Sequence, residues 1–234
     1  MIDLHCHILP GIDDGAPNVI TSLAMLEMAK QDGITHSVMT PHIEPGRFEN
    51  DIASIKAAAD QLASASNSFS FSLAAEVRLD PQIMIWAKQG KLPFIGQYQG
   101  KSVLLLEFPH AHIPPGSDNL TAWLLSNNII PMIAHPERNR VVWERPNKLQ
   151  PFIEQGCLMQ ITAGSLLGVF GERSLARGKA LLVEGSATVI ATDAHNLSNR
   201  PPVLSGGYQK AKEWLGEAAA TKLVLDTPAE IIGL

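Results

Sequence analysis

A parallel α/β barrel is the fold class this chain predicts, and three observations carry it. Strand-like and helix-like stretches alternate along all 234 residues, which is the βαβα order of a parallel sheet. About seven strands can be counted, enough to close or nearly close a barrel. The run Ser102-Val103-Leu104-Leu105-Leu106-Glu107-Phe108 is almost continuously apolar, as strands buried on both faces are.

The first strand opens at Met1 and carries His5 and His7. Side chains alternate along a strand, so these imidazoles share a face and Cys6 takes the other. Asn18 to Asp32 is helical, with Val19, Leu23, Leu26 and Lys30 in phase and Gly33 as its C′ glycine. Thr35 to Thr40 is the second strand, broken by Pro41 ahead of His42. Phe48 to Ser64 is an Ala-rich helix capped by Asn50. Phe69 to Val77 is the third strand and bears Glu76. Pro81 to Gln89 is a short helix with Pro at its start.

Ser102 to Phe108 is the fourth strand and bears Glu107. After a helix from Asp118 to Ser126, Ile129 to Ala134 is the fifth strand, ending at His135. Pro131 marks the beginning of that strand. Pro146 to Gln155 is a helix and Cys157 to Thr162 the sixth strand. Glu172 to Glu184 is a helix, and Ala187 to Thr192 the seventh strand, ending at Asp193-Ala194-His195. Helical patterns follow over Ser205–Leu215 and Ala218–Leu225, with a last turn after Pro228. Pro109 to Gly116 and Asn199 to Gly207 read as loops over the barrel mouth.

Composition bounds the rest. The length suits one domain, residues 1–234, and 45% hydrophobic residues supply a substantial core. No run nears the ~18 apolar residues of a membrane span, and the N-terminus has no secretory-leader pattern. Cys6 and Cys157 make no disulfide framework, so a cytoplasmic location is expected. A net charge of −5 without a Lys/Arg cluster excludes a nucleic-acid surface.

The strand ends carry the chemistry. His5 and His7, His42, Glu76, Glu107, His135, and Asp193 with His195 fall at six of the seven. Such groups are rarely buried without partners, so a ring of them on one rim implies cations. With Asp14 from the first loop there are ligands for two or three divalent ions. Mixed imidazole and carboxylate without thiolate suits manganese, iron or zinc. Ions ~3.5–4 Å apart are a device for phosphoester hydrolysis. Arg138, just past His135, is the expected phosphate clamp, because guanidinium grips phosphate by two parallel bonds. Arg200 is a second candidate, and Glu44 and Arg47 are placed to meet the substrate's surroundings.

Other chemistries fail on spacing. A cysteine phosphatase needs C-x5-R, but Ile12 and Ala163 lie six residues past Cys6 and Cys157. Gly100-Lys101-Ser102 lacks the upstream glycine and following helix of a P-loop. His135-Pro136-Glu137 lacks the downstream Cys pair of a zinc deaminase. Trp143 either packs or lines the pocket. His36 is structural, and His110 and His112 are loop residues.

In Asp3 to Gly15, Thr40-Pro41-His42, Ala74-Ala75-Glu76, Leu106-Glu107, Ala134 to Arg138, Ala163 to Leu166 and Thr192 to Asn196, the chain resembles the polymerase and histidinol phosphatase (PHP) superfamily. More narrowly, it resembles the bacterial manganese-dependent protein-tyrosine phosphatases of capsule and exopolysaccharide loci. The resemblance implies a distorted seven-stranded TIM-like barrel. It implies metal binding by His5, His7, Asp14, His42, Glu76, Glu107, His135, Asp193 and His195, and phosphate binding by Arg138. The metal it implies is manganese, with iron or zinc as alternatives. The implied substrate is phosphotyrosine on a cognate bacterial kinase of polysaccharide export. Metal-activated hydroxide is then the nucleophile, with His42 or His195 available to protonate the leaving group. A histidinol-phosphatase-like small-molecule phosphomonoesterase and a non-catalytic kinase-docking barrel are the alternatives. Cys6 and Thr162 depart from the family pattern, and Thr162 leaves open what the sixth strand contributes.

Overall fold

A computed structural model describes residues 1–65 and 69–234. Among these, ten strands alternate with helices in the expected order. They are β1 (Ile2–Cys6), α1 (Val19–Gln31), β2 (His36–Met39), β3 (His42–Ile43), α2 (Ile52–Ala65), β4 (Ser70–Leu73), β5 (Glu76–Arg78), α3 (Ile83–Lys88), β6 (Gly96–Tyr98) and β7 (Lys101–Glu107). Then come α4 (Ser117–Ser126), β8 (Ile129–Ala134), α5 (Arg140–Glu144), α6 (Gln150–Gln155), β9 (Leu158–Thr162), α7 (Glu172–Val183), β10 (Val189–Ala191), α8 (Ser205–Leu215), α9 (Glu217–Thr221) and α10 (Thr227–Ile232). None of the described helices is long and apolar enough to cross a membrane.

The ten strands resolve into the seven-fold circuit that the sequence predicts, with two strands broken and one added. The second splits at Pro41 into β2 and β3, and the third splits level with it, at Ala74–Ala75, into β4 and β5. The early halves form the sheet β1-β2-β4, and the later halves join β10-β9-β8-β7-β5-β3. Every pairing on these two paths is parallel. Between β1 and the end of β10 the circuit continues through one parallel bridge, Cys6 to Ala194. Two backbone bonds flank it: Asp193 N–H to the His5 carbonyl (2.7 Å) and His7 N–H to the Ala194 carbonyl (2.8 Å). That break in the ladders is the barrel's distortion.

The added strand, β6, pairs antiparallel with β7. The turn between them places Gln99 (φ 51°) and Gly100 (φ 76°) in the left-handed region, as a tight hairpin requires. Of the Gly-Lys-Ser stretch, Gly100 therefore lies in the hairpin turn, and Lys101 and Ser102 open β7. Pro131 lies third in β8 and not at its start, opposite Leu104 of β7, one residue before pairing with β9 begins at Met132. Asp51, not Asn50, caps α2: its Oδ1 accepts the Ser54 N–H at 2.8 Å. The Asn50 side chain instead donates to the Ile12 and His42 carbonyls, both at 2.9 Å.

An inner core of Ile2, Leu4, Val38, Ala74, Val103, Leu105, Ile130, Met132, Ala134, Leu158 and Val189 fills the barrel and is plugged by Ile95 and Ile231. An outer core lies between strands and helices, where Met25, Leu26, Ile55 and Leu62 meet Cys6 and Met39. The apolar filling gives way to polar groups along the same strand faces. Leu105 is followed on its face by Glu107, Ala74 by Glu76 and Leu158 by Gln160, as a period of two dictates.

Candidate metal centre

In β1 the period alone would put Leu4 and His5 on opposite faces, yet both turn inward. The pairing with β2 runs Asp3 to Ser37 and then Cys6 to Met39, so β1 holds one extra residue there. This bulge re-aims the strand: Ile2 and Leu4 fill the barrel, and His5 and His7 then face the same interior. Cys6 points outward as expected, fully buried, with Sγ 3.5 Å from the Val38 carbonyl oxygen. His135 (φ 32°) and Asp193 (φ 51°), each just past a strand, are left-handed without being glycine. Such conformations cost ~1–3 kcal/mol and gather at functional sites; here they turn both side chains onto the rim.

All nine predicted ligands meet there. His5, His7, Glu76 and Asp193 form one group of donors; His7, Asp14, His42 and His195 a second; His42, Glu76 and Glu107 a third. The His5 and His7 Nε2 atoms lie 3.2 Å apart and 3.3–3.5 Å from Glu76 Oε2 and Asp193 Oδ1. The Nε2 atoms of His42 and His195 each stand 3.4 Å from Asp14 Oδ1. Glu107 also groups with His135 and with His110, so His110 belongs to the rim although the sequence leaves it in the loop.

Buried polar atoms are almost always hydrogen-bonded. Here Glu76 Oε2, Glu107 Oε2, Asp193 Oδ1 and His42 Nδ1 are buried without a hydrogen bond, their only close neighbours being charged groups such as Arg78 beside Glu107 and His42 beside Glu76. A set of inward-facing oxygen and imidazole donors without hydrogen bonds fits divalent cations.

Charge balance agrees. Burial, with Glu76 close by, pushes the Glu107 carboxyl well above its usual range; two carboxylates in one pocket need a counter-charge. Burial would raise Glu76 and Asp193 too. The charges of His5 and His42 around Glu76, and of His5, Arg200 and Arg138 around Asp193, overcome it and hold both well below the usual range. Burial and then Arg138 lower the His135 ring to about 3, while burial and then His7 lower His195 to about 4. Both are thus neutral, the form that binds metal. His7 differs. Burial would lower its ring, but Asp13 and Glu76 outweigh that and push it up to about 10.

A supporting layer escapes the sequence reading. Asp13 Oδ2 accepts from His7 Nδ1 at 2.6 Å and from the His42 N–H at 3.0 Å. This directs His7 Nε2 inward. Gln160 on β9 receives His5 Nδ1 (2.9 Å) and the His135 N–H (3.2 Å), which is what the sixth strand supplies in place of a ligand. Asp3 accepts from the Thr192 N–H (2.9 Å) and hydroxyl (2.5 Å), joining the first strand to the last. Arg78, at the end of β5, reaches Glu107 Oε2 (3.2 Å) and Glu44 Oε1 (3.1 Å). The Asp-Asp pair and the polar residues within strands were the only sequence signals for these roles.

Arg138 and Arg200 both donate to Asp193 Oδ2, Arg200 at 2.5 Å, which places both candidate clamps at the rim. Arg138 is carried on a 3-10 turn, Pro136–Arg138. Trp143 packs behind it, its Nε1–H donating to the Glu137 carbonyl at 2.6 Å. Arg47 is half exposed and stands 3.3 Å from Asp14, at the outer edge. His112 lines an outer cavity with Pro114, Arg145 and Lys148. His36 is held between Ser70 (2.8 Å) and Ser72 (3.0 Å), away from the site.

A parallel barrel with imidazoles and carboxylates of almost every strand gathered on one rim is a barrel with a candidate metal site. The chain belongs to the CpsB/CapC family of capsular polysaccharide synthesis, whose sequence model matches residues 1–233. It is 36% identical over 204 residues to tyrosine-protein phosphatase YwqE of Bacillus subtilis, covering 86% of this chain and 79% of that protein. It is 34% identical over 216 residues to the putative tyrosine-protein phosphatase CapC of Staphylococcus aureus, covering 91% and 84%. A crystal structure from work on YwqE and Streptococcus pneumoniae CpsB, described as unique metal-dependent tyrosine phosphatases, superposes with a TM-score of 0.91. That match is 31% identical and covers 100% of this chain and 94% of the other. An organophosphorus hydrolase of Deinococcus radiodurans shares the fold alone, with a TM-score of 0.62 at 14% identity.

Proposed function

We propose that this protein is a metal-dependent protein-tyrosine phosphatase. Its substrate is phosphotyrosine on a cognate bacterial kinase of polysaccharide export, in the cytoplasm, and residues 1–234 act as one catalytic domain. The observation that carries the reading is the convergence of nine donor residues and two guanidiniums on one rim, with four buried donor atoms that make no hydrogen bond. His5, His7, Asp14, His42, Glu76, Glu107, His135, Asp193 and His195 hold two or three divalent ions, manganese first and iron or zinc next. When bound, the ions supply a deprotonated water as nucleophile and neutralise phosphoryl oxygens.

The chain's own residues do the rest. Arg138 and Arg200 bind the phosphoryl oxygens and stabilise the charge that builds on them. Asp13 and Gln160 fix the tautomers of His7 and His5. Phenolate, with a pKa near ~10, leaves with little help, so the proton demand on His42 and His195 is small and their main task is to hold metal. Arg47, beside Asp14 at the exposed edge, meets the peptide around the phosphotyrosine.

The test is elemental analysis of the purified protein, paired with hydrolysis of a phosphotyrosyl peptide before and after chelation. Activity that disappears on chelation and returns best with manganese is expected. Histidinol phosphate or free sugar phosphates turned over far faster than the peptide would overturn the substrate assignment. A metal-loaded protein that hydrolyses no phosphomonoester would overturn the enzyme itself.

A further inference from the structure

The two clamp arginines share one more neighbour. The Arg138 guanidinium carbon lies 4.2 Å from the centroid of the Phe170 ring, and that of Arg200 lies 5.9 Å from it. Both distances are within the ~6 Å at which a cation is held over an aromatic face. Arg200 Nε is buried and has no hydrogen-bond partner, so part of that guanidinium rests against something other than an acceptor. Phe170 is itself closely held. A Cβ added at Gly164 would come within 3.3 Å of Phe170 Cε2, so the ring lies over a stretch of backbone kept bare by glycine. The segment around it turns at Gly168 (φ 79°) and Gly171 (φ 85°), both left-handed. The Val169 N–H closes back on the Gly164 carbonyl at 3.0 Å.

The consequence concerns how the clamp is aimed. Two long cationic side chains 62 positions apart in sequence donate to the same oxygen, Asp193 Oδ2. Mutual repulsion drives such a pair apart, and each side chain has several rotamers to wander through. One carboxylate oxygen compensates only part of that. An aromatic face under both guanidiniums gives each a second fixed point, so their N–H groups stay directed at one spot beside the metal ligands.

We propose that Phe170 is a positioning residue for the phosphate clamp: its ring holds Arg138 and Arg200 together, aimed at the position of the phosphoryl group. This rests on the phosphatase reading above. It also assigns the segment after β9 a part in the site, through the ring that follows the strand by eight residues.

The experiment compares Phe170→Leu and Phe170→Tyr with the unchanged metal-loaded protein. It measures phosphotyrosyl-peptide hydrolysis, inhibition by inorganic phosphate, metal content and melting temperature. Leucine keeps apolar bulk but has no π face; tyrosine keeps the face. Phe170→Leu is expected to lower kcat/KM about ten-fold and weaken phosphate inhibition by a similar factor, the size of one partly desolvated cation–π contact. Metal content and melting temperature stay the same, and Phe170→Tyr restores both losses. In an Arg200→Ala background the same change costs less, because one of its two dependants is gone.

Full activity in Phe170→Leu overturns the proposal. So does a loss confined to the peptide with phosphate inhibition unchanged, which would make the ring a direct substrate contact. Should the leucine variant not fold, Phe170→Met gives the same comparison. If the unchanged metal-loaded protein hydrolyses no phosphomonoester, the functional reading fails. Calorimetric binding of inorganic phosphate to the Phe170 variants would then still decide the positioning role.

Discussion

Arg138 and Asp13 mark two kinds of dependence in the site. The Arg138 side chain pairs with Asp193 and is not itself one of the nine donors, so removing it takes away charge stabilisation without a candidate ligand. Arg138→Ala is expected to lower turnover of a phosphotyrosyl peptide by about 10²–10³, the cost of losing one charge-stabilising donor, with metal content unchanged by elemental analysis. Full activity in that variant would remove Arg138 from the mechanism. Asp13 touches no phosphate position but receives His7 Nδ1 and the His42 N–H. Asp13→Asn weakens the hold on the imidazole, and partners of this kind typically cost 10–100-fold in metal affinity. Metal titration should show that drop, with activity recovering at saturating metal. The nine donors were legible in the sequence because imidazoles and carboxylates recurring at strand ends are costly to bury unless cations satisfy them. Asp13 stayed hidden because two adjacent aspartates in a turn look alike until one is seen buried against His7 and the other 40% exposed in its side chain.

At the scale of elements, the first loop is what the metal rim leans on. Gly15 packs tightly against His7: an added Cβ would fall 2.1 Å from the His7 carbonyl oxygen and 2.5 Å from its Cβ. Neither is the movable end of a side chain, so Gly15→Ala forces the loop off β1 and carries Asp13 and Asp14 with it. The expected result is a stability loss of about 1–3 kcal/mol, the usual cost of overpacking. Metal affinity should fall further than in Asp13→Asn, and thermal melting with metal titration measures both. A Gly15→Ala protein with unchanged affinity would mean that the loop tolerates displacement. The same scale explains where sequence reading stopped. Helix α1 was legible to within one residue at each end, with Gly33 the explicit signal that stops it. The breaks in the second and third strands were only half visible. Pro41 announces one, but its partner at Ala74–Ala75 has no local signal and is set by pairing with the first. The β1 bulge cannot be read at all from alternation, since a register shift belongs to two strands. Hairpin strand β6 lay hidden because three residues, Gly96-Gln97-Tyr98, carry no period.

For the molecule as a whole, the rim is also the barrel's seam. His5 and His7 come from the first strand and Asp193 and His195 from the last, where one bridge and a few backbone bonds replace a full ladder. Under the proposed metal binding, ions held across that seam would bind the folded state only and stabilise it by mass action, ~4 kcal/mol at a thousand-fold excess over Kd. For a chain of this length that is a drop of roughly 10 °C in melting temperature on chelation.

The pH dependence has a definite sign. In the metal-free protein His7 is raised to about 10, so its contribution is complete below the ordinary histidine value of ~6.5 and is lost as pH rises toward 10. Glu107, raised by burial and by Glu76, acts in the same direction, since ionising it sets two like charges side by side. His135 and His195, lowered to about 3 and about 4, act oppositely: their contribution is complete above ~6.5 and is lost as pH falls toward those values. The metal-free barrel is therefore most stable in mildly acidic solution and weakens on the alkaline side. Under the proposed metal binding, cations would take over there, replacing the proton as counter-charge while protons no longer compete for the ligands. The gap in melting temperature between metal-loaded and metal-free protein should widen steadily from pH 6 to pH 9, as paired calorimetric scans would measure. A gap that stays constant or narrows over that range would mean that the ions do not sit among these imidazoles and carboxylates.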